Sequence, residues 1–517
     1  MAAKEAKNKQ TKKPKKQLPE WEGSPAARYL ILIAITVLVG LSLIMAFSAS
    51  SNDAVIRQVQ REFAAQNQTA LTPEELRESE LEYYAALEEA YAQANQGIAG
   101  TTDSSETSGI LDFIDTIFGS AYGSGFRHLL FALLGAALAF FISRQDYRKF
   151  APYSFPAAGI LLILLMFLWL FGNPILGSAR WVEVFGLFTF QPSEFAKPAL
   201  ILLVAFYCSW AKDADEAGPE RQRTQADLPL YRRDWVMPAI LVLGCLFAIY
   251  ASPDLGTLLI IGVGLFAAYV LSGWPWMRLV AGIAALGAIF IGRILLGEGY
   301  QQRRIFEFIT YWTEGVASHQ TWQAELALGS GGILGLGPGL SRQKFRYLPE
   351  AHNDFIIAIL GEELGLIGVS LVLIAFAVIL FGGMYIASRS KDRLGLAIAG
   401  SATILIVFQA LLNIFAVVNL GPVTGKPLPF VTLGGSSMIS TFILIGFIFS
   451  VARFGQLDYR LSSQGELKVA AKEEPLRKTS KQKREKNTSA KKKKARATRT
   501  VRAENKNEHE DDIDWQW

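Results

Sequence analysis

Ten long apolar runs, separated by short polar segments, make up most of the chain between residues 29 and 451. A helix that crosses the hydrocarbon core of a bilayer needs roughly 20 apolar residues, because every backbone amide must be satisfied inside the segment. We therefore predict an all-α polytopic membrane protein with about ten transmembrane helices. The predicted spans are residues 29–47, 126–142, 152–171, 195–210, 235–250, 255–271, 277–296, 355–386, 394–419 and 430–451.

The composition excludes a soluble multidomain enzyme. Of the 517 residues, 51% are hydrophobic and only 19% are charged, which is too apolar for a soluble chain of this length. Cys208 and Cys245 lie inside apolar runs, so they are packing residues and do not form a disulfide framework. The net charge of +5 does not indicate a nucleic-acid partner, because the basic residues flank the predicted spans, where lipid and membrane topology account for them.

The distribution of Lys and Arg predicts that both termini are cytoplasmic, since cationic segments resist transfer across the membrane. Residues 1–27 form a basic tail, residues 28–453 a ten-helix membrane domain, and residues 454–517 a charged tail that we expect to be disordered, because it is too polar to form a core. The same topology places an acidic insertion, residues 49–125, and a large loop, residues 297–354, outside the cell. Three further basic segments then fall on the cytoplasmic side: residues 144–149, 212–233 and 389–393.

Within the acidic insertion, residues 71–96 have the pattern of an amphipathic helix, with Thr72 as the N-cap and Pro73 at the first helical position. Two interpretations of this helix remain open. Its acidic face is either simply solvated or a docking element for a partner.

Functional candidates lie at the ends of the spans, because ionisable groups at membrane depth are costly to keep. The strongest group surrounds Asp354. If a helix begins near Pro349, Glu350 and Asp354 lie one turn apart at the mouth of the span, where partial burial makes a carboxylate a better base near neutral pH. The alternative is that Asp354 only caps the helix. Two more carboxylates, Glu362 and Glu363, follow inside the apolar run.

Cations precede this group in the large loop. A glycine-rich segment, residues 329–339, is followed by Arg342, Lys344 and Arg346, and another cationic pair lies at Arg303 and Arg304. Glycine lets backbone amides approach an anion closely, and Arg can bind phosphate oxygens with two hydrogen bonds. The alternative is an ordinary glycine-rich surface loop, since the spacing matches no defined phosphate motif. No P-loop, dinucleotide fingerprint, HExxH or CxxC motif occurs in the chain.

A third candidate group lies at the start of the fourth predicted span. Glu194 and Lys197 are three residues apart, so they can share a helix face and pair with one another or with Asp354. The alternative is a purely structural ion pair. Arg180 precedes this group, and two Pro- and Gly-containing breaks, residues 252–257 and 421–437, require a backbone that is shielded from lipid.

Six blocks of the chain resemble, in the same order, those of the SEDS family (shape, elongation, division and sporulation), the membrane proteins typified by FtsW and RodA. The blocks are MAFSAS, GSARWVEVFGLFTFQPSEFAKPAL, SPDLGT, LGSGGILGLGPG, RYLPEAHNDFIIAILGEELGLIG and QALLNIFAVVNLGPVTGKPLPFVTLGGSS. The resemblance covers residues 28–453 and implies a ten-helix peptidoglycan glycosyltransferase that polymerises lipid II in the bacterial cytoplasmic membrane. It also implies a partner, a class B penicillin-binding transpeptidase, and, for the division branch, divisome proteins at the septum.

The resemblance assigns the catalytic role to Asp354. A base and several cations should converge where a sugar hydroxyl attacks and a lipid pyrophosphate departs, and a divalent cation, Mg²⁺ or Mn²⁺, is expected to share the charge of the leaving group. The supporting or substrate-binding candidates are Lys197, Glu194, Arg180, Glu350, His352, Arg303, Lys344, Arg346 and Ser436.

Other functions remain open at this level. The PEAH and GEELG blocks favour the division branch, and an elongation-type polymerase is the alternative. A lipid II flippase would also suit a bundle with carboxylates at membrane depth. A scaffold that only recruits partners would need the acidic insertion but not Asp354.

Overall fold

The computed structural model describes residues 25–66, 123–171, 181–184, 188–217, 236–252, 254–277, 300–344, 353–456, 459–461 and 467–469, with the single residues 279, 287, 292 and 348. Most of these residues are helical. The helices are α1 Pro25–Gln66, α2 Gly123–Arg144, α3 Ser154–Phe171, α4 Pro192–Ala217, α5 Val236–Ala251, α6 Leu255–Leu271, α7 Tyr300–Glu314, α8 His319–Gly331, α9 Ile356–Ser388, α10 Arg393–Val417 and α11 Gly435–Phe454. Two short 3₁₀ turns, Tyr147–Lys149 and Ala151–Tyr153, join α2 to α3.

Within these described ranges, seven helices are long and apolar enough to cross a membrane, namely α1, α2, α3, α4, α9, α10 and α11, and α3 is counted together with the 3₁₀ turns before it. The shorter apolar helices α5 and α6 coincide with two more predicted spans. The chain is therefore an integral membrane protein, as its sequence predicts. The remaining predicted span, residues 277–296, lies almost wholly outside the described residues. The predicted amphipathic helix at residues 71–96 lies wholly outside them.

Two helices are longer than predicted, and a third is interrupted. Helix α1 continues to Gln66, well into the insertion that was predicted to begin at residue 49. Helix α4 continues to Ala217 through a charged last segment, because helical hydrogen bonding does not stop where the apolar pattern does. Helix α9 has 33 residues and is interrupted at Gly365, whose φ of 63° and ψ of −163° are not helical.

The helices pack closely through small residues. The core of the α3–α6 group contains Leu165, Leu200, Cys245 and Ile261, which are all buried. Helix α2 lies against α11, and a Cβ atom added to Gly135 would lie 2.5 Å from the ring of Phe442. Glycine at such a contact lets two helices approach more closely than larger residues allow.

Two antiparallel hairpins complete the described structure. Strands β1, Val182–Val184, and β2, Phe188–Phe190, pair immediately before α4. Strands β3, Tyr459–Leu461, and β4, Leu467–Val469, form a second hairpin, which belongs to a different unit from the helices. The expectation of disorder for residues 454–517 did not anticipate this second hairpin. Apart from the hairpin and the end of α11, that tail lies outside the described residues.

Candidate functional site

Asp354 lies in a turn of residues 353–355 and not in a helix. Helix α9 begins at Ile356, and Phe355 occupies the N-cap position without a capping side-chain hydrogen bond. The prediction that Asp354 lies within a helix is therefore wrong, and so is the alternative that Asp354 is the helix cap. Pro349 and Glu350 lie outside the described residues. The carboxylate is half-buried at the end of the bundle where α4, α6, α9 and α11 begin, which we call the site end.

The turn that carries Asp354 is held by two side chains from distant parts of the chain. The buried amide of Asn413 in α10 donates to the carbonyl oxygen of Asp354 and to that of Lys426, both at 2.7 Å. The hydroxyl of Thr432 donates to the carbonyl oxygen of Asn353 at 3.1 Å. These bonds satisfy backbone groups that a helix would otherwise have satisfied, so they explain why a turn is stable here.

The carboxylate of Asp354 faces a guanidinium across a glycine. Arg304 in α7 donates from Nη1 to the carbonyl oxygen of Val423 at 2.9 Å. A Cβ atom added to Gly425 would lie 3.1 Å from Nη1 of Arg304 and 3.2 Å from Oδ2 of Asp354. A positive and a negative group therefore approach the same side of Gly425.

A buried ion pair lies at the start of α4. Lys197 donates from Nζ to Oε2 of Glu194 at 2.6 Å and to Oε1 of Gln409 at 2.8 Å. The amide of Gln409 in turn donates to the carbonyl oxygen of Pro427 at 2.8 Å. The side chains of Lys197 and Glu194 are only 2% and 1% exposed, which confirms the pairing expected from their spacing and places it inside the bundle.

A second buried ion pair joins α6 to the segment before α11. Lys426 pairs with Asp254 and donates to Oγ1 of Thr257 at 2.6 Å. Asp254 is the N-cap of α6 and accepts from the backbone N–H of Thr257 at 3.1 Å and from the amide of Gln191 at 3.4 Å. The two Pro- and Gly-containing breaks, 252–257 and 421–437, are thus joined by an ion pair where lipid does not reach them.

The glycine-rich segment binds the protein's own backbone. The N–H groups of Leu336 and Gly337 donate to the carbonyl oxygens of Glu362 and Glu363, each at 2.9 Å, and the N–H of Leu366 donates to the carbonyl oxygen of Gly332 at 2.9 Å. These bonds surround the interruption of α9 at Gly365. Among the described residues, this part of the segment therefore serves to hold the broken helix.

The side chain of Glu362 anchors the loop that leads toward Asp354. It accepts hydrogen bonds from the hydroxyl of Ser341, from the backbone N–H of Arg342 at 3.0 Å and from the N–H of Gln343 at 3.3 Å. A carboxylate that accepts several backbone N–H groups holds a loop firmly, since charge-assisted hydrogen bonds are stronger than neutral ones.

Lys344 lies in a buried cluster. It pairs with Glu363 at 3.3 Å and donates to the hydroxyl of Ser48, at 3.1 Å, and to the carbonyl oxygen of Gly339. Both charged side chains of the pair are fully buried, and this burial lowers the pKa of Lys344 although Glu363 opposes the shift. A cation in this environment is suited to fixing the loop, and direct contact of Lys344 with substrate stays a prediction.

The other predicted site residues are distributed unevenly. Arg303 lies on the outer face of α7, where its side chain is 81% exposed and pairs with Glu307. Ser436 lies at the site end and accepts from the backbone N–H of Gln191 at 3.1 Å. The remaining four, whose roles stay predictions, lie outside the described residues: Arg180, Arg346, Glu350 and His352.

Several residues of these networks were absent from the sequence-derived site, and Asp254, Lys426, Gln409 and Asn413 are four of them. Gln409 and Asn413 could have been found, because polar residues four positions apart inside an apolar span share one helix face and seldom face lipid. Lys426 is a lone cation in a segment rich in Pro and Gly between two spans. Its partner, however, lies 172 positions earlier in the chain, at Asp254.

The donor set at the site end limits how a metal could bind. No group of three or more His, Cys, Asp or Glu side chains suited to a metal ion occurs within the described ranges. Asp354 offers one carboxylate, next to the cationic Arg304. Mg²⁺ is commonly held by one or two carboxylates together with substrate phosphates, so these residues fit only a cation that is held largely by substrate oxygens.

Fold and site together define an integral membrane protein whose helical bundle gathers carboxylates and cations at one end. A family model described as "Cell cycle protein", for FtsW, RodA and SpoVE, matches residues 110–457. The chain belongs to this family.

Named relatives agree with this assignment. Stage V sporulation protein E of Bacillus subtilis is 35% identical over 334 residues, which cover 64% of this chain and 87% of the relative. A probable peptidoglycan glycosyltransferase FtsW of Geobacter metallireducens is 33% identical over 330 residues, covering 63% and 84%. A solved structure described as "Structural coordination of polymerization and crosslinking by a peptidoglycan synthase complex" has a TM-score of 0.50 and 24% identity, covers 65% of this chain and 91% of its own, and shows the same fold.

Proposed function

We propose that this protein is a peptidoglycan glycosyltransferase that polymerises lipid II into glycan strands at the outer face of the cytoplasmic membrane. The observation that carries the proposal is the half-buried carboxylate of Asp354, held in a fixed turn and faced by Arg304 at one end of a membrane bundle. The FtsW relative, named a probable peptidoglycan glycosyltransferase, supports the substrate class.

The chemistry requires a base at this place. A sugar hydroxyl of one substrate attacks the anomeric carbon of the other, and its proton must be removed as the new glycosidic bond forms and the bond to the lipid pyrophosphate breaks. Asp354 accepts this proton, while nearby positive charge stabilises the departing diphosphate. A general base must be held in place. The turn does this, because the carbonyl oxygens of both Asn353 and Asp354 accept side-chain hydrogen bonds.

A divalent cation is part of this proposal. Asp354 would help to hold Mg²⁺ or Mn²⁺, and the cation would neutralise leaving-group charge. Chelation with EDTA should then lower the polymerisation rate, and added Mg²⁺ or Mn²⁺ should restore it. An unchanged rate in excess EDTA would remove the cation from the proposal.

The test of the activity uses purified protein in detergent with lipid II, and separates the glycan products by gel electrophoresis. The wild-type protein should make chains, and Asp354→Asn should lower the rate by about 10²–10⁴-fold, the usual contribution of a general base. Asp213→Asn is the control, because Asp213 pairs with Arg393 in an exposed position at the opposite end of α4. Wild-type protein that makes no chains in detergent but moves lipid II across vesicles would instead indicate the flippase.

The cellular role and partners are proposed on the same basis. We expect a role in septal synthesis, with a class B penicillin-binding transpeptidase and divisome proteins as partners, and an elongation role is the alternative. The solved neighbour concerns polymerisation coordinated with crosslinking, which supports a transpeptidase partner. A fluorescent fusion at midcell would support the division role, and a fusion along the lateral wall would support elongation.

A further inference from the structure

We infer that Arg304 is a positioning residue for Asp354, and that Gly425 is the bare backbone position at which the two side chains meet. This inference rests on the proposed function. It concerns how the carboxylate is oriented, which neither the family match nor the relatives address.

The position of Arg304 is fixed by its own helix. Helix α7 is fastened to the segment after α10, since Nε1 of Trp312 donates to the carbonyl oxygen of Asn419 at 3.0 Å. The carboxylate of Glu325 in α8 accepts from Tyr311 and from the amide of Asn419, each at 2.6 Å. Together with the bond from Arg304 to Val423, these contacts hold α7 at two separate points along one segment.

The backbone conformation of Gly425 favours a residue without a side chain between Arg304 and Asp354. Its φ is +63°, which non-glycine residues adopt only rarely. The space where a side chain would lie is occupied from two sides by the guanidinium of Arg304 and the carboxylate of Asp354. A larger residue at 425 would therefore require the ends of these side chains to shift by a few tenths of an ångström.

The guanidinium suits this role because it is planar, always charged and carries five N–H donors. One N–H group of Arg304 donates to the carbonyl oxygen of Val423, and the other N–H groups lie in the same plane of the guanidinium. The positive charge of such a group favours one orientation of a neighbouring carboxylate. Without it, the carboxylate would adopt several rotamers, and its oxygens would point in several directions. Arg304 therefore serves to orient the base.

The first test measures lipid II polymerisation by Arg304→Ala in detergent. Because a carboxylate without the neighbouring guanidinium can turn away from its reactive orientation, kcat should fall on the order of 100-fold while KM changes less than about 3-fold. Guanidinium chloride at millimolar concentration should restore part of kcat, and sodium chloride at the same concentration should not. A normal kcat, or a loss that appears only in KM, would overturn the inference.

The neighbouring Arg303 provides the matched comparison. Arg303→Ala removes the same charge from the next position of α7, but from an exposed side chain that pairs with Glu307. We expect it to lower kcat much less than Arg304→Ala does. Equal losses in both variants would mean that the overall charge of the helix matters, which contradicts a positioning role for Arg304.

A second pair of variants tests the meeting point without touching either charge. Gly425→Ala introduces a methyl group between Arg304 and Asp354, and kcat should fall at least about tenfold if the displacement costs as much as a typical overpacking strain. Gly315→Ala is the control, because Gly315 has a similar φ of 72° and nothing lies within 4 Å of its added Cβ. If both substitutions lowered kcat equally, backbone strain alone would explain the effect at Gly425. The inference that Arg304 and Asp354 meet at Gly425 would then be refuted.

The outcomes separate this inference from the function on which it rests. Wild-type protein that makes no glycan chains would defeat the proposed function. Active wild-type protein, an inactive Asp354→Asn variant and a fully active Arg304→Ala variant would leave the function standing and defeat only the inference.

Discussion

Removal of the buried Lys197 amine should destabilise the bundle more than removal of Lys212 from the same helix, because the ion-pair partners of Lys212 are exposed. In Lys197→Met, Glu194 keeps its negative charge inside the bundle but loses the amine at 2.6 Å, and Gln409 loses the donor at 2.8 Å. The other carboxylate oxygen, Oε1 of Glu194, is buried without a hydrogen-bond partner among the described residues. The substitution therefore leaves the buried carboxylate of Glu194 without its ion-pair partner.

The structure sets the expected magnitude. Breaking a buried ion pair by removing one partner costs about 3–5 kcal/mol, because the remaining charge stays out of water. Glu194 should fall in this range, since its side chain is 1% exposed. In the double variant Lys197→Met with Glu194→Gln, the charge is gone and an unsatisfied amide remains, which costs about 1–3 kcal/mol. The double variant should thus recover about 2 kcal/mol relative to the single variant.

The assay is unfolding of the purified protein by sodium dodecyl sulfate in mixed micelles, followed by circular dichroism. Lys212→Met is the control on the same helix: Lys212 pairs with Asp215 at 3.4 Å, but the Asp215 side chain is 58% exposed. Such a surface pair contributes at most about 1 kcal/mol. The reasoning would be refuted if Lys197→Met and Lys212→Met unfolded at the same detergent fraction, or if Glu194→Gln failed to improve Lys197→Met.

Two further predictions concern the glycine-rich segment and its anchor. Gly331→Ala should strongly reduce the yield of folded protein, because the added Cβ would lie 2.0 Å from the carbonyl oxygen of Gly361. Gly329→Ala is the control and should fold normally, because nothing lies within 4 Å of its added Cβ. Size-exclusion chromatography compares the two variants. Glu362→Gln replaces one acceptor of the loop by a donor, so amide hydrogen exchange at residues 342–343 should accelerate about tenfold or more, as measured by mass spectrometry. Unchanged exchange would show that Glu362 does not anchor this loop.

The spans were predictable because they depend on local properties of the chain. A run of about 20 apolar residues must be helical in lipid wherever its neighbours lie. For this reason α6 has the predicted bounds of 255–271, while α1 and α4 extend past their apolar runs into charged segments. The ion pair between Glu194 and Lys197 was equally predictable, since both residues lie on the same helical turn.

The surroundings of Asp354 depended on contacts that no local pattern contains. The helix expected at Asp354 is replaced by a turn at residues 353–355, because Asn413 and Thr432, 59 and 79 positions away from the carbonyl groups they bind, satisfy the backbone of that turn. Sequence alone likewise treated Arg303 and Arg304 as one cationic pair. Only the docking of α7 on the segment after α10 separated the exposed arginine from the one that faces Asp354.

The amino-acid sequence by itself determined that this chain is a helical membrane protein, since burial of the backbone in lipid depends on the number and order of apolar residues. The tertiary structure decided which charged residues meet. The partner of Lys426 is Asp254, and the group facing Asp354 across Gly425 is Arg304. Coulombic attraction and hydrogen bonding act over a few ångströms in space, and distance along the chain does not set that separation.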